Sequence, residues 1–110
     1  MTVERLEELL DKLVVCIESQ YLIEEFIESW THDISPVIDR GVSMYRAVTY
    51  GIARRRGRRL GFTAVTVLAG LGEEDVSPVE TRFMLSDGRV IEIRPEVDLE
   101  KCLKSFGWRL

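Results

Sequence analysis

The chain has 110 residues and a formal net charge of −4, with 45% hydrophobic and 31% charged residues. These proportions are typical of a folded protein and exclude a disordered chain, and the length suits a single domain with its own apolar core. No stretch is apolar enough for a transmembrane helix, and the acidic N-terminus lacks the pattern of a signal peptide. We therefore predict a cytoplasmic protein without membrane contact.

Only two cysteines and one histidine could serve as soft metal ligands: Cys16, Cys102 and His32. They are too few for a zinc site, so no metal or other cofactor is predicted, and the cysteines are expected to be buried thiols. The chain lacks asparagine and has a single glutamine, a depletion of amides that suggests a heat-adapted source, whereas its many arginines are equally explained by a GC-rich genome. In such a source, a disulfide between the two cysteines would be less unusual.

Apolar residues recur with helical spacing from Thr2 to Trp30, without glycine or proline, and predict one long helix with Thr2 as its N-cap. A heptad seam on this helix is predicted to form an oligomer interface. Its residues include Leu6, Leu9, Leu13, Gln20, Ile23, Ile27 and Trp30. The apolar surface is broader than a two-stranded coiled coil needs, and Gln20 resembles the polar residues that fix register in oligomers.

A second helix is expected to begin at Ser35 and Pro36, an N-cap followed by proline at the first helical position, and to end at Gly57. Because the connection from Thr31 to Ser35 is short, the two helices should form an antiparallel hairpin.

The second half of the chain has the composition of β-strands. Strands are predicted at 62–69, 79–85 and 89–94, with Asp87 and Gly88 in the last turn, and a short helix at 97–105. The predicted fold is therefore α+β within a single domain. A long N-terminal helical hairpin (1–60) packs on a three-stranded antiparallel meander with a short C-terminal helix (61–110), in the order ααβββα.

Positive charge is concentrated in the middle of the chain. The residues that could contact a nucleic acid or another anion are Arg46, Arg54, Arg55, Arg56, Arg58 and Arg59. Arginine suits phosphate oxygens, which favours nucleic-acid binding. In the predicted hairpin, however, the cluster would lie beside the acids of the first helix, Glu4, Glu7, Glu8 and Asp11, which favours internal or inter-subunit charge pairing.

Weaker patterns bear on catalysis and metal binding. The predicted βββα order resembles the core of restriction-type nucleases, with Asp87 and Glu92 as candidate acids, but the two lie about 16 Å apart along the strand. Arg94 also stands where that core has a lysine. The acids of 73–75 suggest a solvated loop more than a cation site, and the glycines of 70–72 lack the rest of a dinucleotide fingerprint. No local signature makes His32 a catalytic base.

The leading functional prediction is a small non-enzymatic interaction protein that self-associates through its first helix. The alternatives are a nucleic-acid-binding protein that uses the arginine cluster and, third, a small metal-dependent nuclease.

Overall fold

The computed structural model describes residues 2–39, 42–70 and 76–108, and within them one helix precedes a five-stranded antiparallel sheet and two short helices follow it. The strands lie side by side in chain order. The elements are α1 (Val3–Tyr21), β1 (Glu25–Asp39), β2 (Val42–Arg55), β3 (Arg58–Gly70), β4 (Val76–Leu85), β5 (Val90–Ile93), α2 (Pro95–Asp98) and α3 (Glu100–Ser105). The α+β class is confirmed, but the helical hairpin and the three-stranded meander are wrong.

Helix α1 begins where the sequence predicts and ends well before Trp30. The hydroxyl of Thr2 accepts a hydrogen bond from the backbone N–H of Arg5 at 3.2 Å, which caps the first turn. One broad apolar stripe of the helix is buried in the protein itself: Leu6, Leu9, Leu10, Leu13, Val14, Cys16 and Ile17. The apolar width beyond the heptad seam, noted in the sequence, therefore belongs to the same buried surface.

Strand β1 occupies the segment for which the sequence predicts the end of the first helix, the loop after it and the start of the second helix at Ser35 and Pro36. From Trp30 onward the larger side chains alternate, with Trp30, His32 and Ile34 on the helix side and short polar residues between them. A register shift between Ile27 and Ser29 marks a β-bulge, which keeps both Ile27 and Trp30 on the helix side.

Strand β2 replaces the predicted second helix. Its middle, residues 48–52, is β-branched or aromatic except for Gly51, and the strand pairs with β1 on one side and β3 on the other along almost its whole length. The chain then reverses through Arg56 and Gly57, which both have positive φ, at 49° and 78°. Two central residues of this kind form the tight turn that suits a β-hairpin, so Gly57 ends a strand and not a helix.

Strands β3, β4 and β5 confirm the three predicted strands, and β3 and β4 extend further than predicted. The Asp87–Gly88 turn joins β4 to β5 as expected. The predicted C-terminal helix is present as two short helices, α2 and α3. The sheet nevertheless runs across the predicted division at residue 60, because β2 and β3 are neighbours. The single-domain organisation as such stays a prediction.

The hydrophobic core lies between the three helices and one face of the sheet, here called the inner face. Along β3 the buried residues are Phe62, Ala64, Thr66 and Leu68, every second position, as expected for a sheet covered on one side. The intervening residues project from the opposite, outer face, where every described side chain of β3 keeps some contact with solvent. None of the outer-face residues of β3 belongs to the core.

A disulfide joins Cys16 of α1 to Cys102 of α3, with their Cα atoms 5.8 Å apart. The prediction of two free thiols is therefore wrong. Whether the source is heat-adapted stays a prediction. Within the described parts of the chain, no helix has the length and apolar character that crossing a membrane requires.

Candidate functional site

The arginine cluster lies at the end of the sheet, around the β2–β3 turn, and its members face carboxylates. Arg54 contacts Glu28 at 3.0 Å, and Arg55 contacts Asp87 at 2.8 Å. Arg56 lies 3.3 Å from a carboxylate of Glu24, and Arg59 lies 4.0 Å from that of Glu28. Only Arg58 of the cluster forms no ion pair with the described residues. The predicted charge pairing exists, but the partners come from Glu24 in the connection before β1, from β1 itself and from the Asp87 turn, not from α1.

Glu25 is the most buried member of this network, with its side chain 2% exposed. Its Oε1 accepts hydrogen bonds from Nε of Arg55 at 2.9 Å and from Nη1 of Arg89 at 3.4 Å. Arg89 also donates to the backbone carbonyl of Tyr21 at 3.1 Å, at the C-terminal end of α1. A cation at that position is favourable, because the last carbonyls of a helix carry partial negative charge. The network thus fixes the end of α1 to the sheet.

Two pKa shifts follow from these contacts. Hydrogen bonds to Glu25 and Asp87 raise the pKa of Arg55 further above its ordinary value. The backbone N–H of Arg89, followed by the guanidinium of Arg55, lowers the pKa of Asp87. These groups therefore remain charged and paired at neutral pH.

Arg46 is not part of this cluster. It lies on the outer face of β2, opposite Ser35 and Val67, far along the strand from Arg54. The six predicted anion-binding residues are therefore not brought together, and most of those at the turn already have anionic partners. Nucleic-acid binding stays a prediction, and the uncompensated positive charge that motivated it is largely absent.

The predicted oligomer interface is also divided. Leu6, Leu9 and Leu13 are 2–4% exposed and face the protein's own core, as does Ile27 on β1. Gln20 donates to the backbone carbonyl of Asp98 at 2.8 Å and so joins α1 to α2. Ile23, by contrast, is 94% exposed. Because most of the seam is buried within one chain, α1 has little apolar surface with which to contact a second copy.

His32 has partners that its position in the sequence does not reveal. Its Nε2 donates to Oδ1 of Asp11 at 2.7 Å, and its Nδ1 lies 2.8 Å from the hydroxyl of Thr49. Trp30 donates from Nε1 to the same Asp11 oxygen, also at 2.7 Å. An acid, an imidazole and a hydroxyl in line resemble a nucleophile-base-acid set. Thr49 is only 2% exposed, however, so a substrate has no access to its hydroxyl, and the network serves to hold α1 on the sheet.

Replacing Asp11 by alanine should lower the free energy of unfolding by about 2 kcal/mol, because two donors that are mostly shielded from water, on Trp30 and His32, lose their acceptor. Urea denaturation would measure the change. Asp11→Asn is the matched control, since it keeps an acceptor oxygen at the same place and should cost clearly less. Equal losses in the two variants would show that the acceptor is unimportant.

The candidate nuclease residues do not meet. Asp87 lies in the β4–β5 turn and forms an ion pair with Arg55 of β2. Glu92 projects from the outer face, where its carboxylate lies 3.9 Å from Nε of Arg82. No group of three or more histidine, cysteine or acidic residues that could hold a metal ion occurs among the described residues. The acidic segment 73–75 lies outside the described residues, and the glycine motif 70–72 lies partly outside them.

The outer face of the sheet is a further surface that these contacts do not explain. Its apolar centre is formed by six side chains on three adjacent strands: Val48, Tyr50, Ile52, Val65, Val67 and Met84. All six are accessible, and Tyr50 is 48% exposed. An open depression of about 550 Å³ lies among Tyr50, Ile52, Gly61, Thr63 and Met84. Gly61 has no side chain to fill it.

Charged residues border this apolar centre on both sides. Asp33 and Arg46 lie towards the β1 edge, and Glu80, Arg82 and Glu92 lie towards β5. An apolar centre with a charged rim is the usual composition of a protein–protein contact surface. The sequence does not reveal this surface, because the segments that form β1 and β2 are predicted to be largely helical.

Comparison with known proteins gives no match: neither a family model, nor a curated protein, nor a solved structure is significantly similar to the chain. The fold and the surface therefore define only a class, a two-layer α+β protein in which the described part of the chain leaves one sheet face uncovered.

Proposed function

We propose that this protein is a small non-enzymatic interaction protein, and that it self-associates through the outer face of its sheet. The observation that carries the proposal is the asymmetry of the sheet. Helices α1 and α3 contribute to the core on the inner face and α2 buries Pro95, while an apolar centre on the outer face has no cover within the described chain. Covering an exposed apolar sheet face with a second surface is favourable, because the free energy falls when water is excluded from it.

The chemistry of this surface favours binding over catalysis. Val48, Val65 and Val67, at the middle of this surface, carry no nucleophile or titratable group. The neighbouring depression, whose polar groups are hydroxyls such as those of Tyr50 and Thr63, is open to solvent. The polar network that most resembles a catalytic set lies on the inner side, where its hydroxyl, on Thr49, is buried. The prediction of self-association is thus retained, and its surface moves from α1 to the sheet. A cytoplasmic location remains part of this proposal, although disulfides are more common in oxidising compartments.

The test is the molar mass in solution, by light scattering coupled to size exclusion and by sedimentation equilibrium, from low micromolar to several hundred micromolar protein. The wild type should form dimers in this range. Val65→Glu should weaken association at least about a hundredfold, because a carboxylate placed in an apolar contact must lose its water without a partner.

Val97→Glu is the matched control. It makes the same substitution on α2, at a side chain that is 63% exposed and lies away from the outer face. Both variants should keep the circular dichroism spectrum of the wild type, since neither valine belongs to the core. A wild type that stays monomeric at every concentration would refute the proposal, and so would equal effects of the two variants.

A further inference from the structure

We infer that the two copies meet in one orientation, face to face, with a two-fold axis that runs close to the strand direction between β2 and β3. The inference rests on the proposed self-association and adds how the partner, a second copy of this chain, is recognised. Aligned sheets that pack face to face cross at about 30°, so an axis near the strand direction is geometrically ordinary.

Such an axis exchanges the two halves of the sheet but does not shift any residue along the strand direction. Residues that are paired across neighbouring strands, and so lie in one row perpendicular to the strands, are called level with one another. The pairing register then determines which residues meet. Strand β2 lies opposite the partner's β3, and β1 lies opposite the partner's β4. Since Val48 is level with Val65 in the protomer, it comes to face the partner's Val65.

The apolar centres of the two copies are complementary in shape in this arrangement. Ile52 is level with Gly61. It therefore lies over the partner's Gly61, where the open depression has room for a branched side chain. A cavity filled by an apolar group recovers contacts that would otherwise be lost to a void. Because the axis is two-fold, this contact occurs twice.

The charged rim is complementary in the same orientation. Asp33 on β1 is level with Arg82 on β4, through the pairing of the two strands between them. The axis therefore places Asp33 opposite the partner's Arg82. Arg46 on β2 is level with Glu80 on β4, so it lies one strand spacing, about 4.8 Å, to the side of the partner's Glu80, within reach of an arginine.

These charges have few competing partners within the protomer. Among residues 2–39, 42–70 and 76–108, neither Asp33 nor Arg46 forms an ion pair. Arg82 has one contact, with Glu92 at 3.9 Å, between side chains that are 57% and 79% exposed. A surface pair of that length and exposure contributes little, so Arg82 is available to a carboxylate of the partner.

The perpendicular orientation is unfavourable. An axis across the strands that kept Val48 and Val65 at the centre would place Asp33 against the partner's Asp33 and Arg82 against the partner's Arg82. Like charges brought together in a contact are strongly disfavoured, which selects against that alternative.

The area is small, and this sets the expected affinity. Four strands at about 4.8 Å spacing and about eight residues of about 3.3 Å give roughly 500 Å² per copy, or about 1,000 Å² in total. That total lies at the lower limit of specific interfaces, so the dimer should dissociate in the micromolar range.

Charge reversal tests the orientation. Asp33→Arg alone sets the new guanidinium against the partner's Arg82, and Arg82→Asp alone sets two aspartates together. Each variant should therefore associate about tenfold to thirtyfold more weakly than the wild type. Mixing the two variants should restore association to near the wild-type value. Each heterodimer has two charge contacts: one pairs the introduced arginine with the introduced aspartate, and the other is the native pair of Asp33 and Arg82. Native mass spectrometry distinguishes the heterodimer from the homodimers by mass.

Glu96→Arg, an exposed charge reversal on α2, is the control and should leave association unchanged. Added salt should reduce the difference between single variants and mixture. If the wild type dimerises and Val65→Glu prevents it, but the mixed variants form no more heterodimer than chance, the orientation is wrong and the proposed function stands. A wild type that stays monomeric would refute both the orientation and the proposed self-association.

Discussion

Replacing both Cys16 and Cys102 by alanine is expected to lower the free energy of unfolding by about 4 kcal/mol, the largest effect predicted for this protein. The bond closes a loop of 86 residues, and a cross-link over such a length removes much of the entropy of the unfolded chain. It also holds α3, which has only six residues and is too short to persist as a helix without its packing.

Urea denaturation with and without a reductant measures this effect. Reductant should lower the midpoint of the wild type to that of the double variant and leave the variant unchanged. The mass of the intact protein, which rises by two hydrogens on reduction, confirms the redox state. A wild-type midpoint that does not respond to complete reduction would show that the bond adds nothing to stability.

The second half of the fold could be predicted from the sequence because its signals are local. Asp87 and Gly88 supply the backbone conformations of a tight turn, and the runs on either side are rich in β-branched residues. Thr2 identified the start of α1 in the same way, since an N-cap acts within one turn. Such signals hold whatever the rest of the chain does.

The prediction for the first half of the chain was wrong because a helical and a strand periodicity overlap there. Ile23, Ile27 and Trp30 are spaced as on one face of a helix, and they extend the seam of α1 without a break. The β-bulge after Ile27 produces this spacing within a strand, because it adds one residue between two inward-facing positions. Counting from Trp30 instead shows alternation through His32 and Ile34, which is the pattern of a strand covered on one side.

Pro36 carried a similar ambiguity. Proline favours the first position of a helix, as the sequence analysis assumed, but it is also tolerated in an edge strand, where its missing N–H costs no ladder hydrogen bond. Strand β1 is such an edge strand. Only the pairing of β1 with β2 decides between the two.

The candidate surface could not be predicted for a related reason. Val48 and Val65 become neighbours only through the register of β2 and β3, and a single-residue slip would turn them to the other face. Charge was more informative. The clustering of arginines after a stretch of acids indicated internal pairing, although the partners, such as Glu25 and Glu28, proved to lie on a strand.

Replacing Gly51 by alanine is expected to lower the free energy of unfolding by about 3 kcal/mol or more. The bulge brings β1 so close to Gly51 that an added Cβ would lie 1.9 Å from the carbonyl oxygen of Ser29 and 2.8 Å from Cα of Trp30. Both are backbone atoms, so no side-chain rotation can relieve the contact. The main chain of β1 would have to move away, and its pairing with β2 would weaken there.

Gly61→Ala is the matched control, because Gly61 also lies in a central strand and its added Cβ would meet only Cβ of Ser86, at 3.9 Å. Glycine in a strand is entropically costly, so this change should be neutral or slightly stabilising. Urea denaturation of both variants at equal submicromolar protein concentration, where the protein is monomeric, separates the two effects. Equal stabilities would mean that β1 does not approach Gly51 closely. A large loss at Gly51 alone would show that this glycine is required for the close approach of β1, and hence that the sequence specifies the bulge at two places: in β1 itself, and in β2 where a side chain is excluded.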